Sequence, residues 1–117
     1  MAAPNIVSIT TVTAKTIGNT VPLTATAFLT NGSGSGQVYK INTVMVTNSN
    51  SVPVAVTLDF YRSSVSSFIG YNITVPSNAT VVLLAKDSAI YLEEADSLRS
   101  NATAAGLYTV TSYEVIS

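Results

Sequence analysis

The sequence predicts an all-β chain: an antiparallel β-sandwich of about eight short strands, immunoglobulin-like or jelly-roll-like in connectivity. Three observations predict it. Apolar and polar residues alternate at period two over most of the chain, and helical periodicity is nearly absent. Turn signals built from Gly, Pro, Asn and Ser recur at intervals of about ten residues. The 117 residues, 47% of them hydrophobic, suffice for one buried core and not for two.

Taken in order, residues 6–17 read as a strand of edge or exchanged type, with Ile6 and Val12 on one face and Val7, Ile9 and Ile17 on the other. From Val21 the chain places Val21, Leu23, Ala25, Ala27 and Leu29 on one face and mostly Thr on the other, the pattern of a half-buried strand. Residues 31–36, Asn-Gly-Ser-Gly-Ser-Gly, break the alternation and predict a mobile loop or hinge. Residues 1–36 are therefore expected to form an N-terminal strand arm plus a Gly/Ser hinge, and residues 37–117 the sandwich core, within a single domain overall.

Residues 37–47 carry apolar side chains on both faces, which predicts a central strand or a bulge near Asn42 that shifts the parity. Residues 48–53 form an Asn/Ser turn whose side chains bond the local backbone. Val54, Val56, Leu58 and Phe60 then mark the cleanest strand. Residues 63–67 read as a polar turn, 68–75 as a strand ended by Pro76-Ser-Asn78, and 80–86 as the next strand. Strands at 90–92, 98–102 and 107–116 complete the set, with a turn at Ala105-Gly106 and room for a helical turn only within 88–97.

Charge and reactive groups narrow the function. Charged residues make up 9% of the chain, against about 25% in an average soluble protein. Five basic and six acidic residues give a net charge of −1, so no basic field exists for a nucleic acid and little repulsion keeps copies apart. Cys and His are both 0, which excludes disulfides, thiol nucleophiles, imidazole triads and His-containing zinc sites. The uncharged stretches 16–39 and 63–85 are cut by Gly, Pro and Asn and do not read as membrane spans, and the first residues do not read as a secretory signal. The expectation is a chain that is not an enzyme, with no catalytic, cofactor-binding or metal-binding residues, no nucleic-acid partner and no membrane partner.

Individual residues support that expectation. Glu93, Glu94 and Asp96 are the only acidic cluster and have oxygen ligands for Ca²⁺, but their spacing fits a solvated loop better than a cation cage. Asp59 and Glu114 sit on different strands, each opposite that strand's main apolar face, so the two carboxylates could approach one another as a glycosidase pair would. The six tyrosines are spread over almost every strand and read as half-buried, with hydroxyls reaching water. Lys15, Lys40, Lys86, Arg62 and Arg99 are scattered and suit the guarding of strand edges. Asn31, Asn72, Asn78 and Asn101 each begin an Asn-x-Ser/Thr triplet, expected by chance in so Asn- and Thr-rich a chain.

Several stretches together carry a resemblance. They are Tyr39-Lys-Ile-Asn-Thr-Val-Met-Val-Thr-Asn48, Val54-Ala-Val-Thr-Leu-Asp-Phe-Tyr-Arg62, Ile73-Thr-Val-Pro-Ser-Asn-Ala-Thr80, Ile90-Tyr-Leu-Glu-Glu-Ala-Asp-Ser-Leu-Arg99 and Val110-Thr-Ser-Tyr-Glu-Val-Ile-Ser117. Over residues 37–117 the chain resembles small β-sandwich virion structural proteins of tailed bacteriophages, especially those of cyanobacterial and marine phages. The resemblance implies a structural role in the virion: capsid decoration or cement protein, or a neck, baseplate or tail-fibre component. It implies as partners other virion proteins, the major capsid protein or neck and tail proteins, and a homo-oligomer for which a trimer suits capsid symmetry. A receptor- or carbohydrate-binding module is the alternative, and it would need clustered aromatic residues; the loops 48–53, 63–67 and 93–97 hold none. Ala95 stands where related segments carry Gly at a turn, a costly replacement if φ is positive there.

Overall fold

The computed structural model describes residues 11–117. The described residues form nine strands, β1 (Val12–Thr20), β2 (Thr26–Thr30), β3 (Val38–Asn48), β4 (Val54–Arg62), β5 (Val65–Val75), β6 (Thr80–Leu84), β7 (Ile90–Leu92), β8 (Ser97–Ala102) and β9 (Leu107–Ile116). One sheet has the order β1-β9-β3-β6, with β7 also on β3; the second has the order β2-β8-β4-β5. All pairs are antiparallel. The partners are nested, β1 with β9, β2 with β8, β3 with β6 and β7, and β4 with β5, as in a long hairpin whose two arms are wound round each other. This is jelly-roll connectivity, so of the two sandwich types expected it is the jelly roll that forms.

Alternation places the core where period two predicts. Ile41 and Val44 of β3, Leu58 of β4, Leu92 of β7 and Leu98 of β8 meet at one end of the sandwich. Val46, Val54, Val56, Val75, Ala102 and Leu107 fill the other. Each fully buried Leu or Val side chain contributes about 1.5–3 kcal/mol relative to exposure. Thr109, Thr111 and Ser100 are buried as well, polar groups on otherwise apolar inward faces. In β3 the register on β9 shifts between Ile41 and Thr43, the bulge expected near Asn42, which is how one strand directs Ile41, Val44 and Val46 all to the inward face.

Several expectations are corrected. Residues 21–25 do not form a strand; β2 begins only at Thr26, and Leu23 is 60% exposed. Pro22 lacks the N–H a ladder needs, and its carbonyl instead accepts from Ala102 N (2.9 Å). Ser63 and Ser64 both adopt positive φ (51° and 64°) and make a two-residue hairpin turn, so β5 starts at Val65 rather than Phe68. The helical turn lies at Lys86–Ser88 and overlaps the expected segment 88–97 only at Ser88.

The N-terminal segment also behaves differently from the arm expected of it. From residue 12 onward it supplies β1 to one sheet and β2 to the other, so the sandwich does not begin at residue 37. Residues 1–10 of the expected arm lie outside the described residues. The expected hinge is tied down by Asn31, which is 0% exposed. Its Nδ2 donates to the carbonyls of Gln37 (2.8 Å) and Leu92 (3.0 Å), and its Oδ1 accepts from Ser35 Oγ (2.6 Å). Its backbone N donates to Asp96 O (3.0 Å), and its carbonyl accepts from Ala95 N (2.8 Å).

Candidate interaction surfaces

The acidic cluster is committed to internal donors. Asp96, nearly fully buried, accepts from Arg62 Nε at 2.8 Å and from Arg62 Nη2 at 2.5 Å, and its Oδ2 also accepts from Glu93 N at 2.8 Å. Glu93 Oε2 accepts from Arg62 Nη2 at 2.6 Å, and Glu94 Oε2 accepts from Gly36 N at 2.5 Å. The bond to Asp96 is the main reason the Arg62 pKa lies above its ordinary value. The three carboxylates therefore close the turn after β7 and hold the 31–36 loop against it. Ala95, in the middle of this turn, has φ 72°, the left-handed conformation that made an alanine there costly.

Asp59 and Glu114 do not meet. Leu58 and Tyr113 point inward and are buried, so the neighbouring Asp59 and Glu114 leave their respective sheets on the two opposite outer faces. Glu114 lies across from Lys40, at 4.0 Å. Asp59 lies across from Arg99, whose Nη2 donates to Oδ2 at 2.7 Å. Of the cations read as edge guards, Lys15 is on the edge strand β1 and Lys86 is in the helical turn after β6, whereas Lys40, Arg62 and Arg99 pair with carboxylates. Lys15 is placed on the inward parity of β1, a device that discourages another strand from adding there.

The outer face of the β2-β8-β4-β5 sheet carries an aromatic cluster that no loop-based reading anticipated. The Arg99 guanidinium lies 3.9 Å from the Tyr61 ring centroid and also donates to Ser66 Oγ. Next to it Phe68 and Tyr71 pack with centroids 4.6 Å apart and ring planes tilted by 57°, and remain 59% and 65% exposed. The signal was in the sequence as Tyr61, Phe68 and Tyr71. Only the β4–β5 pairing, with Asp59 opposite Phe68, brings it together with Arg99.

The outer face of the β1-β9-β3-β6 sheet is different in kind. In its middle, Val82, Met45, Val110 and Gly18 lie in one row across four strands. On one side runs the row Thr80, Thr47, Tyr108, Thr20, and on the other Thr43, Ser112, Thr16. Thr47 and Thr80 share a hydroxyl–hydroxyl bond of 2.8 Å. These three rows contain no charged residue, and no cavity opens among the described residues.

With this geometry in place, comparison with known proteins gives one informative likeness. No protein-family model matches the chain, and no curated protein sequence matches it. Among solved structures, the chain is similar to a protein of Bacillus endospore appendages, described as a novel family of disulfide-linked pili. The identity is 17% and the TM-score 0.57, with 93% of this chain and 88% of that one covered. At that identity the shared feature is the fold: the likeness spans both sheets and includes the N-terminal strands, where the bacteriophage resemblance covers only residues 37–117.

Proposed function

We propose that this chain is a non-enzymatic structural subunit of a virion, most specifically a capsid decoration or cement protein that stabilises the head through subunit–subunit contacts and acts as a homo-oligomer. The observation that carries the reading is the outer surface. Arg62 and Arg99 are both spent on internal carboxylates, while among the described residues twelve large apolar side chains from Val12 to Val110 stay exposed, and Phe68 with Tyr71, and Met45 with Val82 and Val110, lie side by side as patches of the kind that mark contact surfaces. Surfaces of this composition bind by shape and apolar burial, and a standard interface needs about 800 Å² from each partner. The fold likeness to a pilus-forming protein fits a structural role of this kind. With no cysteine in the sequence, any assembly of this chain is held without the disulfides that describe that appendage.

The test is to add purified chain to particles that lack it. Saturable co-sedimentation, raised thermal stability of the heads and density on the shell are expected. Binding to necks or tails alone would replace decoration with the neck, baseplate or fibre role, and no binding to any particle would overturn the virion reading.

The exposed Phe68–Tyr71 pair beside Tyr61 and Arg99 favours a second reading, a receptor- or carbohydrate-binding sandwich that uses a sheet face in place of its loops. Specific, saturable binding on a glycan array, lost in Phe68→Ser, supports it; a blank array removes it.

A further inference from the structure

Among the described residues, nothing requires Gly18 to be glycine. It sits inside β1, a nine-residue strand whose register on β9 is unbroken. Its φ is not positive, since the positive-φ glycines are Gly34, Gly36 and Gly106. A Cβ at Gly18 would meet only the Thr109 carbonyl oxygen, at 3.9 Å, an ordinary contact. Glycine in a strand interior is destabilising by about 0.5–1 kcal/mol, and where neither strain nor packing among the described residues demands it, it marks a place that another chain can approach closely.

The surroundings say what could approach. Gly18 ends the row whose other members, Val110, Met45 and Val82, are 39%, 36% and 54% exposed. The row is thus hollow at the β1 end and raised at the β6 end. The flanking rows are hydroxyls, and a hydroxyl both donates and accepts, so such a row is complementary to a copy of itself in a way that a row of like charges never is. Four strands about 4.8 Å apart, crossed by three rows about 6.8 Å apart, make a face of about 400 Å² before side-chain relief is counted. That is about half of the ~800 Å² per partner of a stable interface, the rest being left to side-chain relief and the rim.

We propose that the outer face of the β1-β9-β3-β6 sheet is a docking surface for a second copy of this chain, related by a two-fold axis that runs along the strands between β9 and β3. That axis reverses the order of strands across the interface while keeping each row on its own level. Val82 of one copy enters the hollow over Gly18 of the other, Met45 faces Val110, and the hydroxyl rows face each other. Packed sheets of this kind lie about 10 Å apart with strands within about 30°. The proposal rests on the self-association part of the structural reading above and supplies the surface for it.

The experiment is sedimentation equilibrium of the full chain over a concentration series, with thermal melts of each variant. Wild type is expected to dimerise. Gly18→Val fills the hollow and is expected to weaken the dimer at least tenfold while the melting temperature measured at concentrations where both chains are monomeric holds or rises, since a β-branched residue suits an exposed strand. The double variant Gly18→Val with Val82→Gly moves the hollow to the other end of the row and restores the dimer. Val110→Lys, which adds a charge to the middle of the row from β9, also weakens it. A wild-type chain that stays monomeric, a Gly18→Val dimer as tight as wild type, or a double variant no better than the single one overturns the proposal. If the monomer nonetheless binds particles, the virion role stands without this face. If the dimer forms by this face and no particle binds it, the face stands without the virion role.

Discussion

Asn31 decides whether the Gly/Ser segment is a hinge or a clamp. Asn31→Ala removes the donor shared by the Leu92 and Gln37 carbonyls and the acceptor of the Ser35 hydroxyl. A buried polar group that loses its partner costs about 1–3 kcal/mol. The Leu92 carbonyl bears that cost in full and the part-buried Gln37 carbonyl a fraction, so about 2–4 kcal/mol is expected. That is a large share of the ~5–15 kcal/mol that holds a domain folded. The chain has no Trp, so urea unfolding is best followed by circular dichroism, where the midpoint should fall by about 1–2 M. Asn31→Asp keeps the size and the Ser35 contact but sets carboxylate oxygen against two carbonyls, and it should not rescue. A loss below about 0.5 kcal/mol for both variants would refute the clamp and restore the hinge.

Three further outcomes are expected. Thr111→Val replaces a buried hydroxyl that has no hydrogen-bond partner among the described residues with a methyl of the same size, and should raise stability by about 1 kcal/mol, read as a melting temperature about 4 °C higher; a lower value would show that the hydroxyl is satisfied after all. Ala95→Gly relieves a left-handed alanine worth about 1–2 kcal/mol, less the extra freedom glycine gives the unfolded chain, for a net gain of about 0.5–1 kcal/mol in denaturant unfolding; a net loss would mean the turn gains nothing from glycine. Burial, and then the neighbouring Tyr39, raise the Tyr113 hydroxyl above its ordinary pKa of 10.0. Its contribution is complete below that value and lost as pH climbs through the higher folded one, so Tyr113→Phe should flatten the loss of stability above pH about 10, and an unchanged alkaline slope would count against it.

Much of the fold was legible because it rests on local alternation. The bounds of β9, the short β7, the bulge near Asn42 and the edge position of β1 all follow from which neighbours are apolar. Alternation misled at residues 21–25, where Val, Leu and Ala keep the strand rhythm but Pro22 cannot join a ladder. It also gave no sign of the Ser63–Ser64 turn, because serine is not the residue that positive φ selects; the long β4–β5 pairing imposes that conformation.

The candidate surfaces divide along the same line. Composition was enough to set a neutral, reagent-poor chain rich in hydroxyls and free of Cys and His, since those properties are sums over residues and do not depend on where each one lies. Which sheet face a residue reaches depends on register and on pairs far apart in sequence. Asp59 meets Arg99 rather than Glu114, and Gly18 closes a row with Val110, Met45 and Val82, through contacts between residues tens of positions apart. Period two sets only the alternation of sides within a strand; the winding of the two arms into a jelly roll sets which strands lie next to one another, and so which side chains share a surface.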